Sequence, residues 1–407
     1  MNCRHCKASL KHTFLDLGSA PPSNAYLNKK DLNHSEVYLP LKIKICDKCW
    51  LVQTEDYAKS ETLFTNEYAY FSSTSSSWLS HAKSFSNKII KELKLNEASY
   101  VIEVASNDGY LLKNFVEKKI PCLGIEPTKS TADAAQKLNI PTLRKFFGES
   151  VGKQLALEDK KADLIIGNNV YAHVPDINDF TKGLKSALKI NGTITLEFPH
   201  LMRLIEKTQF DTIYHEHFSY LSLHAVSRIF SSVGLRVWHV EELPTHGGSL
   251  RIYGCHQNEN RATSKFVGEL LKKEIASGLL ELKTYVSFID RVNKIRDDLL
   301  SFLVEQKHFG NKVIAYGAAA KGNTLLNYAG IKNDLIDFVV DKSPYKQGKF
   351  LPASHIPIVS EEKISELKPD YVLILPWNIK EEVIEKLSYI KEWNGKFVIA
   401  VSKLEII

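Results

Sequence analysis

Apolar positions along the chain recur at two spacings. Between Trp78 and Leu93 they fall on one helical face (Trp78, Leu79, Ala82, Phe85, Ile89, Ile90), which predicts an amphipathic helix. Short β-branched runs follow at 100–104, 121–125, 162–167 and 192–199. Strand, helix, strand in that order predicts a doubly wound parallel sheet with ligands at the carboxyl ends of its strands. From about residue 262 to 308 an apolar stripe predicts connecting helix whose stripe is core. Runs at 312–316, 335–340, 371–375 and 397–401 then predict a second doubly wound sheet. No run approaches the ~18 apolar residues of a membrane span.

A length of 407 residues suggests two to four domains at roughly 100–200 residues each. With 44% hydrophobic and 25% charged residues, the chain is not collagen-like, mucin-like or wholly disordered. Its 53 basic and 47 acidic side chains leave a formal charge of +6, a weak bias that suits an anionic small molecule. Lys118-Lys119 and Lys160-Lys161 are too short to argue for nucleic acid. The start, Met1-Asn2-Cys3-Arg4-His5-Cys6, lacks the apolar core of a signal peptide, so the expected location is cytoplasmic, with no membrane partner.

Cys3 and Cys6 form one Cys-x2-Cys pair, and Cys46 and Cys49 another. Each pair sets two sulfurs on one turn, and two turns complete a tetrahedral four-thiolate zinc site. Disulfides are the poorer reading in a reducing cytosol. With every position filled by protein, the ion is structural, and it supplies stability that a segment of ~60 residues lacks. His5 is an alternative ligand inside the first knuckle, while Cys122 and Cys255 read as core. The site is expected to lie far from the sheet ends.

The stretch with Phe64, Tyr68, Tyr70 and Phe71 and then a serine run reads as a linker or as a pocket rim. In Glu103-Val104-Ala105-Ser106-Asn107-Asp108-Gly109 a strand meets a turn of small residues, which lets backbone approach a ligand near a helix N-terminus. It is neither a dinucleotide fingerprint nor a Walker loop. Glu126 ends the next strand, where an acidic side chain can take both hydroxyls of a ribose. Asn168 and Asn169 open a third polar loop, which runs to His173. Together these look like a class I S-adenosylmethionine-dependent methyltransferase domain, with Glu103, Ala105, Ser106, Asn107, Gly109, Glu126, Asn168 and Asn169 as cofactor-binding candidates. The glycine-poor first loop departs from the commonest pattern.

The densest polar segment is Tyr214-His215-Glu216-His217-Phe218-Ser219-Tyr220. It holds a histidine, a carboxylate to orient it and a hydroxyl to meet developing negative charge, the parts of acid–base catalysis. Metal binding by His215 and His217 on a strand is the alternative. In Thr245-His246-Gly247-Gly248-Ser249-Leu250-Arg251 the glycines admit a ligand, and Arg251 suits either a phosphate or an ion pair. The turn Gly317-Ala318-Ala319-Ala320-Lys321-Gly322-Asn323-Thr324, with Asp341 and Lys346 beyond, fits a diphosphate better than a nicotinamide cofactor.

Taken in order, Cys-x2-Cys twice, E-V-A-S-N-D-G, E-P, Y-H-E-H-F-S-Y, H-G-G-S-L-R and G-A-A-A-K-G-N-T resemble the nucleotide-sugar C-methyltransferases over nearly the whole chain. That family modifies keto-deoxysugars carried on a nucleoside diphosphate, usually dTDP. The resemblance implies an α/β chain of three domains: a small zinc-binding domain (1–65), a central class I, Rossmann-like S-adenosylmethionine domain (66–260) and a C-terminal Rossmann-like α/β domain (261–407). The dTDP-sugar is expected between the last two, in a monomer or homodimer. By resemblance His217 is the base, with Tyr214, Glu216, His173 and Tyr68 in the site; Tyr70 is the rival of Tyr68. Tyr70, His215, His246, Gly247, Ser249, Arg251, Gly317, Lys321, Asn323, Asp341 and Lys346 are the substrate-binding candidates. Glu216 is expected to orient a histidine. Sugar O- or N-methylation and a non-catalytic nucleotide-binding scaffold are the competing functions.

Overall fold

The computed structural model describes residues 1–55, 57 and 71–407; Tyr68 and Tyr70 lie outside them. β1 (His12–Ala20), β2 (Leu39–Ile45) and β3 (Val52–Thr54) form an antiparallel sheet. One cysteine knuckle precedes β1 and the other follows β2. Alternation along β2 buries Leu41, Ile43 and Ile45 on one face, as the period of a half-buried strand requires.

The central sheet begins with β4 (Val101–Val104), β5 (Cys122–Ile125), β6 (Thr142–Leu143), β7 (Ala162–Asn168) and β8 (Leu188–Pro199), all parallel. β9 (Ser219–Tyr220) leaves this layer and pairs with β3, so it finishes the N-terminal sheet. β10 (Leu235–Leu243) and β11 (Ser249–His256) return antiparallel and give the order β10-β11-β8-β7-β4-β5-β6. All four residues of β4 are buried, as expected of a strand covered on both faces. Val101, Leu164 and Ile166 face the helix Ser76–Glu92, which buries Ala82, Phe85 and Ile89 against them. Ser75 caps that helix by accepting from the Trp78 amide. Ile102, Ile165 and Leu196 face the opposite layer, with the helices Ile177–Ala187 and Leu223–Ser232.

The third sheet runs β14-β13-β12-β15-β16-β17 from β12 (Val313–Tyr316), β13 (Val339–Val340), β14 (Ile358–Val359), β15 (Tyr371–Ile374), β16 (Lys396–Ile399) and β17 (Glu405–Ile406), parallel except for the last. The predicted strand at 335–340 shortens to β13. The apolar stripe at 262–308 is three helices, Lys265–Ala276, Leu282–Val286 and Phe288–His308. The first ends at Gly278, whose φ of 76° suits glycine. Glu274 of that first helix, wholly buried, accepts from the amides of Leu223 and His224 and from His200 Nε2 at 2.6, 2.8 and 2.7 Å. It thereby fastens the connecting helices to the central layer. No helix of the described residues is long and apolar enough to cross a membrane.

Candidate active site

The four cysteine sulfurs lie within 4.8 Å of one another, with Cys3–Cys49 and Cys6–Cys46 at 3.5 Å. That is far beyond a disulfide length of roughly 2 Å and close to the edge of roughly 3.8 Å in a tetrahedron of zinc–sulfur bonds. Gln53, buried beside them, donates to Cys3 Sγ at 3.3 Å. His5 turns away, its Nδ1 hydrogen-bonded to Asn178 Oδ1. Among the described residues this is the one group of three or more side chains that converge as metal ligands. Arg4, inside the first knuckle, donates to the carbonyls of Phe218, Pro175 and Thr54 at 3.1, 2.9 and 2.9 Å, and so touches the backbone next to His217.

At the carboxyl end of β4 the chain takes positive φ at Ala105 (56°), Asn107 (49°) and Gly109 (79°). An alanine and an asparagine thus hold left-handed conformations that glycine ordinarily supplies, at a cost of roughly 1 kcal/mol or more each. The turn is braced from both sides: Ser72 N donates to Asn107 Oδ1, Ser73 N to Asp108 Oδ2, and Asn107 N to Glu126 Oε2 at 3.0 Å. Glu126 Oε1 accepts from the Thr128 amide and hydroxyl. Glu103 is wholly buried, and burial, reinforced by Asp108, pushes its carboxyl well above the usual range.

Several buried polar atoms here have no protein partner: Ser106 Oγ, Asp108 Oδ1, both side-chain heteroatoms of Asn168 and Asn169 Oδ1. Orphans clustered where β4 and β7 end fit a polar ligand that completes them, as S-adenosylmethionine does.

Tyr214–Phe218 is a turn, closed by His217 N donating to Tyr214 O at 2.9 Å. His217 and His173 meet edge to face, centroids 4.6 Å apart, and the Tyr214 ring lies 4.0 Å from His217. His173 Nδ1 donates to the carbonyl of Glu216 at 2.9 Å. The backbone of Glu216 therefore orients that histidine, while its Oε1 accepts from Asn24 Nδ2 at 2.6 Å. Burial lowers the His173 imidazole to about 4 and holds His217 well below its ordinary value, with His173 adding to the effect. Both rings are neutral at pH 7. His215 leaves the group and hydrogen-bonds through Nε2 to Leu39 O of the N-terminal sheet.

His246, at φ 52°, is near enough to act on His217, accepts from Asn169 Nδ2 at 3.0 Å, and is lowered to about 4 by burial and by Lys321. The glycine after it admits a protein ring: a Cβ on Gly247 would lie 2.4 Å from the Trp377 indole. Ser249 and Arg251 lie on β11, outside any loop. Ser249 Oγ donates to Thr245 O, and Arg251 takes the ion-pair alternative, with Glu197 at 2.5 Å and Glu241 at 3.3 Å. Burial opposes the Glu197 charge, but His81 and Arg251 hold that carboxylate down at about 2.

In the third sheet Gly317, at φ 88°, lets the turn after β12 press on Pro376. Asp341 accepts from the amides of Ala318 and Ser343, and Lys346 donates to Ala318 O at 2.7 Å. Asn323 donates to Ser23 O. Lys321 donates to Asn378 Oδ1 at 2.6 Å and covers the Trp377 ring at 4.6 Å. Trp377 Nε1 in turn donates to Asp211 Oδ2 at 2.6 Å, and burial pushes Asp211 up to about 6 although Lys321 opposes it. Asn24, Asp211 and Trp377 were absent from the sequence reading. The clue to Asp211 is a carboxylate between Phe210 and Ile213, three positions before Tyr214.

Residues 78–240 match the model of a methyltransferase domain family. With the parallel sheet and the turn after β4, this makes the chain an S-adenosylmethionine-dependent methyltransferase. Residues 3–64 match a zinc binding domain, and residues 244–402 match the C-methyltransferase C-terminal domain. C-methyltransferase NovU from Streptomyces niveus is 32% identical over 405 residues, covering 100% of this chain and 96% of its own. The chain belongs to the C-methyltransferase family. Solved structures with some likeness include the PH0226 protein of Pyrococcus horikoshii OT3 (TM-score 0.38, 14% identity, 46% of this chain and 95% of that one). Another is the YcgJ protein of Bacillus subtilis (TM-score 0.36, 13% identity, 44% and 99%).

Proposed function

We propose that the enzyme methylates carbon C3 of a dTDP-linked 4-keto-6-deoxy sugar in the cytoplasm, as a monomer or homodimer, with its three domains at 1–65, 66–260 and 261–407. The observation that carries the reading is the neutral pair His217 and His173 in edge-to-face contact, with the Lys321 charge near enough to act on His217. His217 Nδ1 donates to Thr212 O at 2.8 Å, so its Nε2 lone pair is free to take a proton from the carbon beside the ketone.

Loss of that proton gives an enolate, whose oxygen needs a positive or donor group in a dry site. Tyr214 is assigned as the donor, and the Lys321 charge acts on the adjacent His217. Ser106, Asp108, Glu126, Asn168 and Asn169 would hold S-adenosylmethionine, which when bound would supply an electrophilic methyl. The chain's remaining task is to hold the sugar ring at near-attack distance. Asp341 and Lys346 beside the turn after β12 are assigned to the nucleotide, and Tyr68 or Tyr70 to the rim.

Incubation with a dTDP-4-keto-6-deoxyhexose and 13C-methyl-labelled donor, followed by carbon NMR, tests the proposal. A new methyl coupled to a quaternary or ring carbon supports it. A methyl shift in the O- or N-methyl range overturns it, as does the absence of any transfer.

A further inference from the structure

Pro21 and Pro22 lead out of the first sheet into a tight strap, closed by Ala25 N donating to Pro22 O and Tyr26 N to Asn24 O. The strap is gripped along its length by the third sheet. Asn323 Nδ2 donates to Ser23 O at 2.6 Å, Tyr26 donates its hydroxyl to Ala318 O at 2.6 Å, and Leu27 and Phe350 exchange backbone hydrogen bonds at 3.0 and 2.8 Å. Thr324, which touches Ser23, also donates to Ile213 O next to Tyr214. Asn24 is therefore fixed before and behind, and its side chain crosses to the middle layer.

There its Nδ2 meets Glu216 Oε1 at 2.6 Å. An amide nitrogen can only donate, so the contact fixes that oxygen as an acceptor, and a donor to a carboxylate makes a strong hydrogen bond.

We propose that Asn24 is a positioning residue for methyl transfer: from the N-terminal unit it holds the Glu216 carboxylate in the orientation used at the substrate. The role rests on the assignment of Glu216 to the active site made above. It makes the zinc-binding unit a contributor to the reaction centre.

The test uses full-length, zinc-loaded Asn24→Ala, Asn24→Asp, Glu216→Gln, Glu216→Ala and the double variant Asn24→Ala/Glu216→Ala, assayed with a dTDP-4-keto-6-deoxyhexose. Loss of a hydrogen bond to a charged group corresponds to about 10–100-fold, so Asn24→Ala should lower kcat by that factor with KM for the methyl donor within about twofold. Asn24→Asp sets two carboxylates together and should fall further. With no carboxylate left to position, the double variant should turn over within about threefold of Glu216→Ala, a coupling that independent sites do not show.

A kcat for Asn24→Ala within about twofold of wild type overturns the proposal, as does a double variant at least about tenfold slower than Glu216→Ala. A Glu216→Gln enzyme of full activity instead removes Glu216 from the site, whatever Asn24 does. Independently of turnover, the side-chain amide resonance of 15N-labelled Asn24 should shift in Glu216→Gln. An unmoved resonance also overturns the contact.

Discussion

His217 donates from Nδ1 to the carbonyl oxygen of Thr212 across 2.8 Å, which leaves Nε2 as the ring's acceptor. Asparagine at position 217 would keep a donor near Thr212 and lose the basic nitrogen. Turnover of His217→Asn is expected to fall by ~10²–10⁴, the usual worth of a general base. Deuterium uptake at the α-carbon of the sugar, measured in heavy water with S-adenosylhomocysteine bound, should fall with it. Undiminished uptake would assign proton removal elsewhere.

The pH behaviour follows from the buried imidazoles. His173 and His246 both stand at about 4, below the ordinary 6.5, because burial disfavours the charged ring. A depressed folded-state value contributes stability that is complete above pH 6.5 and is lost as the pH falls through about 4. The urea midpoint should therefore decline between those limits, and His246→Asn should make that decline shallower. Since His217 is lowered as well, kcat/KM should show no acid limb near 6.5. An acid limb centred there would mean a solvated base.

Glu274 makes three hydrogen bonds from a fully buried position. Glu274→Ala leaves two helix amides and His200 unsatisfied and is expected to cost ~3–5 kcal/mol, the range for breaking a buried polar pair. Denaturant unfolding of the variant gives the value directly. A loss below about 1 kcal/mol would show that water replaces the carboxylate.

Zinc removal should abolish activity even though the ion is structural. Arg4 sits within the first knuckle and ties it to Phe218 O, while Thr54 Oγ1 donates to His217 O at 3.2 Å. Chelation at pH 7 is expected to release about one zinc per chain, and turnover should fall in parallel with zinc release. Full activity in the zinc-free protein would uncouple the two.

The two doubly wound sheets and the four-cysteine cluster were legible because they rest on local signals: β-branched runs, small-residue turns and paired knuckles; the N-terminal antiparallel sheet was not predicted. What escaped depended on contacts between distant segments. β10 and β11 went unread because Arg251, Tyr253 and Glu241 place polar groups on a buried face, where they satisfy one another. Gly247 was expected to admit a ligand; the group pressed against it is Trp377, 130 positions away, and no spacing rule reaches that far. The turn after β4 was found despite its few glycines, since small side chains mark it equally well. Its left-handed residues are visible only in the backbone.

The N-terminal sheet is completed by two residues, Ser219 and Tyr220, borrowed from just beyond His217. A chimaera that grafted this module from a relative would carry three strands with a raw edge and leave the recipient's own fourth strand to match a foreign neighbour. Recombination among these enzymes must therefore move two separate stretches of sequence at once, or re-fit the join residue by residue.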